Sequence, residues 1–214
     1  IIEVVGRKNL HGAGHHVLPD RLVAGTFAIA ATMCGGEVEL ADVHTEDLEP
    51  VLHKLAGVGA AIEQNDEHVT IRSDGELTAT EVQSMPHPGF PTDKQAEMGA
   101  LLTQAHGESV VVERVFDRRF GYAAALQKLG ADIIVDGTRA VIRGPTVLHG
   151  AELTVGNDLR SGAAMILAGL VARGGTTIDG IHFIRRGYQD LAGDLVALGA
   201  SIDVVGSIQP RIPG

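Results

Sequence analysis

The sequence predicts an α/β fold that is built from three copies of one unit. Gly-Ala pairs stand at residues 59 and 60, 130 and 131, and 199 and 200, with spacings of 71 and 69 residues. Acidic residues that begin apolar helices stand at positions 20, 93 and 158, with spacings of 73 and 65 residues. A match of this length and order is typical of a repeated structural unit of roughly 70 residues.

The composition favours the same class. Aromatic residues make up 3% of the chain and Trp is absent, so we expect a core of Val, Leu, Ile and Ala. Such side chains suit layers of helices on sheets. One helix of each unit is almost wholly apolar, and we expect these helices at the centre with the sheets outside them. Because no single unit could bury its own apolar helix, the three units are expected to make one domain.

In the first unit, turn residues and periodicity predict six elements in the order strand, helix, strand, helix, strand, strand. Residues 1–5 indicate a strand, and the three glycines of residues 6–16 indicate a loop. Asp20 supplies a capping acid and two glycines supply an end for a helix at 20–36. A strand at 37–40, a helix at 46–55, a turn at 59–61 that leads to Ile62, and a strand at 67–72 follow.

The same order returns twice. An extended segment with three prolines at 86–91 leads to Asp93, which is predicted to open a helix at 93–107. A strand at 109–113, a helix at 122–129 and a hairpin at 133–143 around Asp136 and Gly137 complete the second unit. In the third unit, Asp158 begins a helix at 158–175, and a strand at 176–179, a helix at 189–198 and the segment 199–206 follow.

Charge and composition argue against several classes of partner. The formal net charge is −10 and the pI is about 5.4, and no cluster of Lys and Arg interrupts this background. Nucleic acids and anionic membranes are therefore poor partners. Since no apolar run reaches the roughly 18 residues of a membrane span and no signal peptide is present, we expect a cytoplasmic protein. The single cysteine, which allows no internal disulfide, fits a reducing compartment.

A metal is not expected. Three loop histidines, His11, His15 and His16, could suggest one. No carboxylate or thiolate stands at ligand spacing from them, so solvated loop histidines are favoured. We expect no metal and no cofactor.

Acids and cations at the starts of the repeated helices suggest a site for small anions. If three helix N-termini converge at one end of the domain, they favour negative charge there. The planar fork of Arg also suits carboxylates and phosphates. The cations concerned are Arg21, Lys94 and Arg160 near the helix starts, with Arg118, Arg119, Arg185 and Arg186 after strands. The alternatives are solvated surface arginines and, for Asp93, a capping residue after a Pro-rich loop.

Five segments carry a resemblance to a known family. They are VLPDRLVAGTF, PHPGFPTDKQAE, ERVFDRRF, NDLRSGAAMILAGL and RRGYQDLAGDLVALGA. Over about residues 1–205 the sequence resembles the C-terminal half of the UDP-N-acetylglucosamine 1-carboxyvinyltransferases, a branch of the enolpyruvyl transferase family. The resemblance implies an inside-out α/β barrel, in which three strand-helix-strand-helix-strand-strand units surround buried central helices.

The resemblance also implies domain boundaries. Residues 1–16 would be a strand and linker from a preceding domain, and residues 207–214 would be a tail. Residues 17–206 would form a single domain with repeats at about 17–85, 86–150 and 151–206. The N-terminal half of the family, with its mobile acid-bearing loop, has no counterpart in this sequence. We therefore expect half of a transferase, inactive without the N-terminal half as its partner.

The family's reaction assigns roles to individual residues. The enolpyruvyl group of phosphoenolpyruvate moves to the 3-hydroxyl of UDP-N-acetylglucosamine, and phosphate is released, in the first committed step of peptidoglycan synthesis for the cell wall. This chemistry needs a base, an acid, and cations for a carboxylate and a phosphate. By resemblance, Asp93 is the base. The implied substrate contacts are the backbone of Val115, the side chains of Arg119, Arg160 and Arg186 that face phosphoenolpyruvate, and Asp158 that orients it.

Two other functions stay open at this point. The shikimate-pathway enolpyruvyl transferases share the repeats and the arginines, although HPGFPTD and VFDRRF resemble the nucleotide-sugar branch more. A non-catalytic half-domain used for binding is the second alternative.

Overall fold

The computed structural model describes residues 2–205 and shows a mixed α/β fold. The helices are α1 (Arg21–Cys34), α2 (Thr45–Val58), α3 (Gln95–Leu102), α4 (Gly121–Lys128), α5 (Leu159–Val171) and α6 (Leu191–Ala197), with 3₁₀ helices at Thr92–Lys94 and Ile181–Arg186. The strands are β1 (Gly36–Leu40), β2 (Ala61–Gln64), β3 (Val69–Ser73), β4 (Glu81–Gln83), β5 (Gly107–Val112), β6 (Asp132–Asp136), β7 (Arg139–Gly144), β8 (Glu152–Thr154) and β9 (Thr177–Asp179). Within residues 2–205, no helix combines the length and the apolar character needed to cross a membrane.

Three apolar helices, α1, α3 and α5, pack against one another in the core. All residues of α3 are buried, and α1 and α5 are largely buried, as their composition predicts. Glycines let neighbouring elements approach: a β-carbon on Gly99 of α3 would lie 2.6 Å from the Tyr122 ring. One on Gly162 of α5 would lie 2.7 Å from Ile184. These glycines therefore let α4 and the 3₁₀ helix Ile181–Arg186 pack closely on two of the central helices.

The strands form separate sheets. The first has the order β1-β3-β2, is antiparallel and packs on α1. The second has the order β4-β5-β7-β6 and packs on α3, with β4 parallel to β5 and the other pairs antiparallel. The third is the parallel pair β8-β9. In the second sheet Val111 lies opposite Ala140, and both are fully buried, so the register places the apolar face inward.

The element order predicted for each unit is complete only in the middle segment, where β4, α3, β5, α4, β6 and β7 follow one another. The sequence analysis assigns no strand at β4 or β8, because three residues are too short to show alternation. In the first segment the elements from α1 to β3 match the predicted order, with ends shifted by a few residues and β2 formed at the segment that begins near Ile62.

Two predicted end segments differ from the structure. The strand predicted at 1–5 is wrong for residues 2–5, because residues 2–20 form neither helix nor strand and residues 2–18 are exposed. β1 pairs with β3 alone, so residues 2–5 have no neighbouring strand to accept their backbone hydrogen bonds. The segment 199–205 also forms no strand. Ile1, Gly206 and the predicted tail at 207–214 lie outside the described residues.

The starts of the central helices are not equivalent. Asp20 caps α1 and accepts a hydrogen bond from the N–H of Leu22 at 2.8 Å, and Asp158 caps α5. Asp93 is not a cap. The chain enters α3 through the 3₁₀ turn Thr92–Lys94 after Pro91, and neither this turn nor α3 has a side-chain cap. The carboxylate of Asp93 is engaged elsewhere.

Candidate functional site

Asp93 lies between two arginines from distant parts of the chain. Its Oδ1 accepts a hydrogen bond from Nη2 of Arg119 at 2.6 Å, and its Oδ2 accepts one from Nη2 of Arg160 at 3.0 Å. Arg119 lies in the loop between β5 and α4, whereas Arg160 lies in the first turn of α5. The Asp93 side chain is 29% exposed, so this cluster is open to a small ligand. Two guanidinium groups face one carboxylate, which leaves a net positive charge.

The arginines control the ionisation of Asp93. Burial alone would raise the pKa of this carboxyl group, but the charges and hydrogen bonds of Arg160 and Arg119 outweigh burial and lower its pKa below the ordinary value. Asp93 is therefore ionised at neutral pH. A carboxylate with a lowered pKa and two paired oxygens is a weak base, so base chemistry requires that the arginines first turn to another anion.

Arg119 is held in place by a chain of contacts behind it. Its Nη1 donates to Oγ1 of Thr92 at 2.9 Å, and that hydroxyl donates to Oε2 of Glu113 at 2.7 Å. The guanidinium carbon lies 4.8 Å from the centre of the Phe116 ring, a cation–π distance. Thr92 and Glu113 were not predicted as site residues from the sequence. The available signal was Glu113, an acid at the end of the predicted strand 109–113 and two residues before the VFDRRF segment.

Val115 contributes its backbone to this loop. Oε1 of Glu113 accepts hydrogen bonds from the N–H groups of Val115 at 2.7 Å and of Phe116 at 3.1 Å. Burial raises the pKa of Glu113, but the bonds from Thr92 and from these two N–H groups, among others, lower it below the ordinary value. The ionised Glu113 carboxylate therefore orders the loop. Because the Val115 N–H is already used, its carbonyl is the backbone group available to a ligand.

Asp158 acts at the start of α5. Its Oδ1 accepts a hydrogen bond from the N–H of Arg160 at 3.0 Å, and its Oδ2 accepts one from Oγ of Ser161 at 2.6 Å. The carboxylate thus fixes the turn that carries Arg160, whose side chain is 14% exposed. Arg186 lies beside the same helix start, where its Nη1 donates to Oδ1 of Asn157 at 2.9 Å.

The structure therefore brings Asp93, Arg119 and Arg160 into direct contact and places Arg186 near them. Two other cations predicted at helix starts do not contact Asp93. Nη1 of Arg21 lies 2.9 Å from Nδ1 of His87. Lys94 is turned into the core, where it pairs with Glu97, because neighbouring residues of a helical turn point roughly 100 to 120° apart.

Other candidate features lie away from Asp93. A cavity of about 550 Å³ is lined by residues of α5, β9 and α6, and it includes Arg185 but neither Asp93 nor Arg119. Among residues 2–205, no three His, Cys, Asp or Glu side chains cluster in a way that could hold a metal ion.

Known proteins resemble this chain along most of its length. A family model described as EPSP synthase (3-phosphoshikimate 1-carboxyvinyltransferase) matches residues 1–195. The UDP-N-acetylglucosamine 1-carboxyvinyltransferase of a Caulobacter species is 45% identical over 202 residues, which are 94% of this chain and 46% of the relative. The protein of the same name from Magnetococcus marinus is 42% identical over 206 residues, which are 96% of this chain and 49% of the relative.

A solved structure shares the fold. The enolpyruvyl transferase NikO from Streptomyces tendae matches with a TM-score of 0.76 and 28% sequence identity, over 86% of this chain and 44% of that chain. The present chain spans about half the length of the relatives it matches. Because the family model covers nearly all of the sequence, the chain belongs to the EPSP synthase (3-phosphoshikimate 1-carboxyvinyltransferase) family.

Proposed function

We propose that this chain is the C-terminal half of a transferase that moves the enolpyruvyl group of phosphoenolpyruvate to the 3-hydroxyl of UDP-N-acetylglucosamine, for peptidoglycan synthesis. The contact of Asp93 with Arg119 and Arg160 carries the proposal, because it joins the expected base to two anion-binding cations. The names of the relatives support the choice of the sugar nucleotide.

We also propose an inside-out α/β barrel as the architecture. Mutual packing of α1, α3 and α5, with separate sheets on α1 and α3, supports this arrangement. In this proposal residues 17–206 form one domain of three units, at about 17–85, 86–150 and 151–206. In the same proposal, residues 1–16 link this domain to a preceding domain.

In the proposed mechanism, substrate binding exchanges the partners of the arginines. Arg119 and Arg160 present planar forks that suit the carboxylate or phosphate of phosphoenolpyruvate. Since both now contact Asp93, the ligand competes with Asp93 for them. When Arg119 and Arg160 turn to the ligand, their hydrogen bonds to Asp93 are lost and the Asp93 pKa rises. An Asp93 oxygen then becomes free, and more basic, to accept the proton of the sugar hydroxyl.

The remaining residues support this exchange. Asp158 positions Arg160 through the first turn of α5, and Arg186, next to Asn157, provides a third cation for the phosphate. The carbonyl of Val115 would contact the sugar nucleotide. The acid that protonates the alkene carbon would come from the N-terminal half, so that both halves are needed for transfer.

Reconstitution tests the proposal. Mixed with the N-terminal half of a relative, the chain should release phosphate in a reaction that depends on both substrates. Asp93→Asn should lower turnover by about 10²-fold or more, the usual scale for a positioned base, while a pull-down shows unchanged association. Asp20→Asn changes a cap that, among residues 2–205, accepts hydrogen bonds only from backbone N–H groups of α1, and it serves as the matched control. Equal turnover of the Asp93 variant and the unmodified chain would remove Asp93 from the mechanism.

The proposed exchange of Asp93 for the ligand on Arg119 and Arg160 predicts a change in binding affinity. Asp93→Asn removes the anion that competes for Arg119 and Arg160, so phosphoenolpyruvate should bind several-fold more tightly even as turnover falls. Calorimetry on the same reconstituted pair measures this affinity. Weaker binding of phosphoenolpyruvate to the variant would contradict the exchange.

The description of the family model favours one alternative substrate, shikimate 3-phosphate. A parallel titration of the reconstituted pair with shikimate 3-phosphate and UDP-N-acetylglucosamine separates the two branches. A half-domain used only for binding would take up ligand but release no phosphate with any N-terminal half.

A further inference from the structure

A buried charge pair lies directly behind Asp93. The side chains of Lys94 and Glu97 are both 0% exposed, and Nζ of Lys94 lies 2.8 and 2.6 Å from the two carboxylate oxygens of Glu97. The hydroxyl of Thr26 accepts from Nζ at 2.5 Å and lies 2.9 Å from Oε2 of Glu97. The hydroxyl of Tyr188 donates to Oε1 of Glu97 at 3.0 Å. Both charges are thus well supplied with hydrogen bonds.

Stability alone does not account for this pair. The transfer of two ions from water into a core is costly, and apolar residues of similar size often serve as well or better. Burial lowers the pKa of Lys94, and the charge and hydrogen bonds of Glu97 oppose this shift. The best-supported role of a buried charge pair is to hold the surrounding elements in one register.

The pair joins segments from all three parts of the chain. Thr26 lies on α1, Lys94 ends the 3₁₀ turn that contains Asp93, and Glu97 lies in the first turn of α3. Tyr188 follows the 3₁₀ helix that ends at Arg186. The stem of Lys94 runs over Gly25, where an added β-carbon would lie 3.1 Å from Cδ, so α1 leaves room for this side chain.

We propose that Lys94 and Glu97 are positioning residues, which hold the Asp93 turn in one register on α1 so that the Asp93 carboxylate faces Arg119 and Arg160. Rotation or sliding of this turn would separate Nζ from the Glu97 carboxylate and leave a buried ion unpaired. This positioning role rests on the proposed function, because it matters for catalysis only if Asp93 is the base. Its test uses no transfer reaction, so the two can fail separately.

The first measurement is a double-mutant cycle in urea. Lys94→Met or Glu97→Gln alone leaves one buried charge without its partner, and each should lower the folded-to-unfolded ratio by roughly 10²- to 10³-fold. The double variant removes both charges, so its folded-to-unfolded ratio should fall less than that of either single variant. Additive losses would show that the two side chains are not coupled, and would overturn the proposal.

The second measurement separates positioning from packing. In the folded double variant, carbon-13 NMR follows the titration of the Asp93 carboxyl group. If the turn loosens and a contact with Arg119 or Arg160 is lost, the lowered Asp93 pKa should rise towards that of an ordinary aspartate. The matched control replaces an exposed pair by the same residue types, Arg143→Met with Glu108→Gln, and should leave the Asp93 titration unchanged.

An unchanged Asp93 pKa in the folded double variant means that the pair only fills the core, and the proposal is then wrong. If the double variant does not fold, Tyr188→Phe decides, since it keeps the ring and removes one hydroxyl from the Glu97 carboxylate. A smaller upward shift of the Asp93 pKa in this variant supports the proposal, and no shift overturns it.

Discussion

Asp93 differs from Asp20 and Asp158, although each stands at the start of a buried helix. Asp20 and Asp158 accept hydrogen bonds from backbone N–H groups one turn ahead. Asp93 accepts from the guanidinium groups of Arg119 and Arg160 instead, and the 3₁₀ turn before α3 goes without a side-chain cap. The same residue type at the same place in the sequence pattern therefore caps a helix twice and pairs with arginines once.

The lowered pKa of Asp93 predicts a loss of stability in acid. An unfolded Asp titrates near a pKa of about 3.9, so the contacts with the arginines contribute fully above that value and are lost as the pH falls through the lower, folded value. The stability difference between the unmodified chain and Asp93→Asn should be constant above about pH 5 and should change steadily below about pH 4. Urea unfolding across this range measures it. A difference that does not vary with pH would contradict the ion pairs.

Substitution of Arg119 by Lys tests the planar fork. Arg119 uses two nitrogens, one for Thr92 and one for Asp93, and a Lys ammonium cannot reproduce this geometry. We expect phosphoenolpyruvate to bind the reconstituted pair about 10- to 100-fold more weakly, since a charged hydrogen bond contributes roughly 1.5–3 kcal/mol. Arg186→Lys should also weaken binding, and Arg143→Lys, at an exposed position of β7, is the control. If calorimetry shows unchanged affinity for both site variants, neither arginine belongs to the site.

At the scale of elements, two helical glycines provide a matched pair. A β-carbon on Gly99 of α3 would lie 2.6–2.9 Å from atoms of Tyr122, whereas one on Gly57 of α2 would meet nothing within 4 Å. Gly99→Ala should therefore cost about 1–3 kcal/mol through overpacking. Gly57→Ala should stabilise the chain by about 0.5–1 kcal/mol, because Ala favours helix. Chemical denaturation gives both values, and a Gly99→Ala variant as stable as the unmodified chain would show that α3 does not depend on close contact with α4.

At the scale of the whole molecule, the chain spans about half the length of its relatives. If the proposed function is right, one half supplies only part of the substrate contacts and cannot close a cleft over the ligand. The isolated chain should then bind phosphoenolpyruvate and UDP-N-acetylglucosamine weakly and should release no phosphate. A phosphate-release assay with and without the N-terminal half tests this. Turnover by the isolated chain would show that the reaction does not need a second half.

The sequence by itself determined the local elements. Asp20 and Asp158 cap α1 and α5, close to the predicted helix starts, and β6 and β7 form the expected hairpin around Asp136 and Gly137. Caps and tight turns depend on residues a few positions apart, so their signals are readable in the sequence. Strands are less readable in the sequence, because strand formation depends on whether a partner strand lies alongside. β4 and β8 were not predicted but form beside β5 and β9, whereas the strand predicted at residues 2–5 does not form.

The tertiary structure alone decided how the site is assembled. The resemblance indicated Asp93, Arg119 and Arg160, but their contacts join residues 26 and 67 positions apart. Likewise Lys94, expected to face an anion beside Asp93, points inward to Glu97 and to Thr26, 68 positions away. Which face of a turn meets solvent depends on the packing of α1, α3 and α5 together, since burial and charge pairing are set by neighbours in space and not by neighbours in sequence.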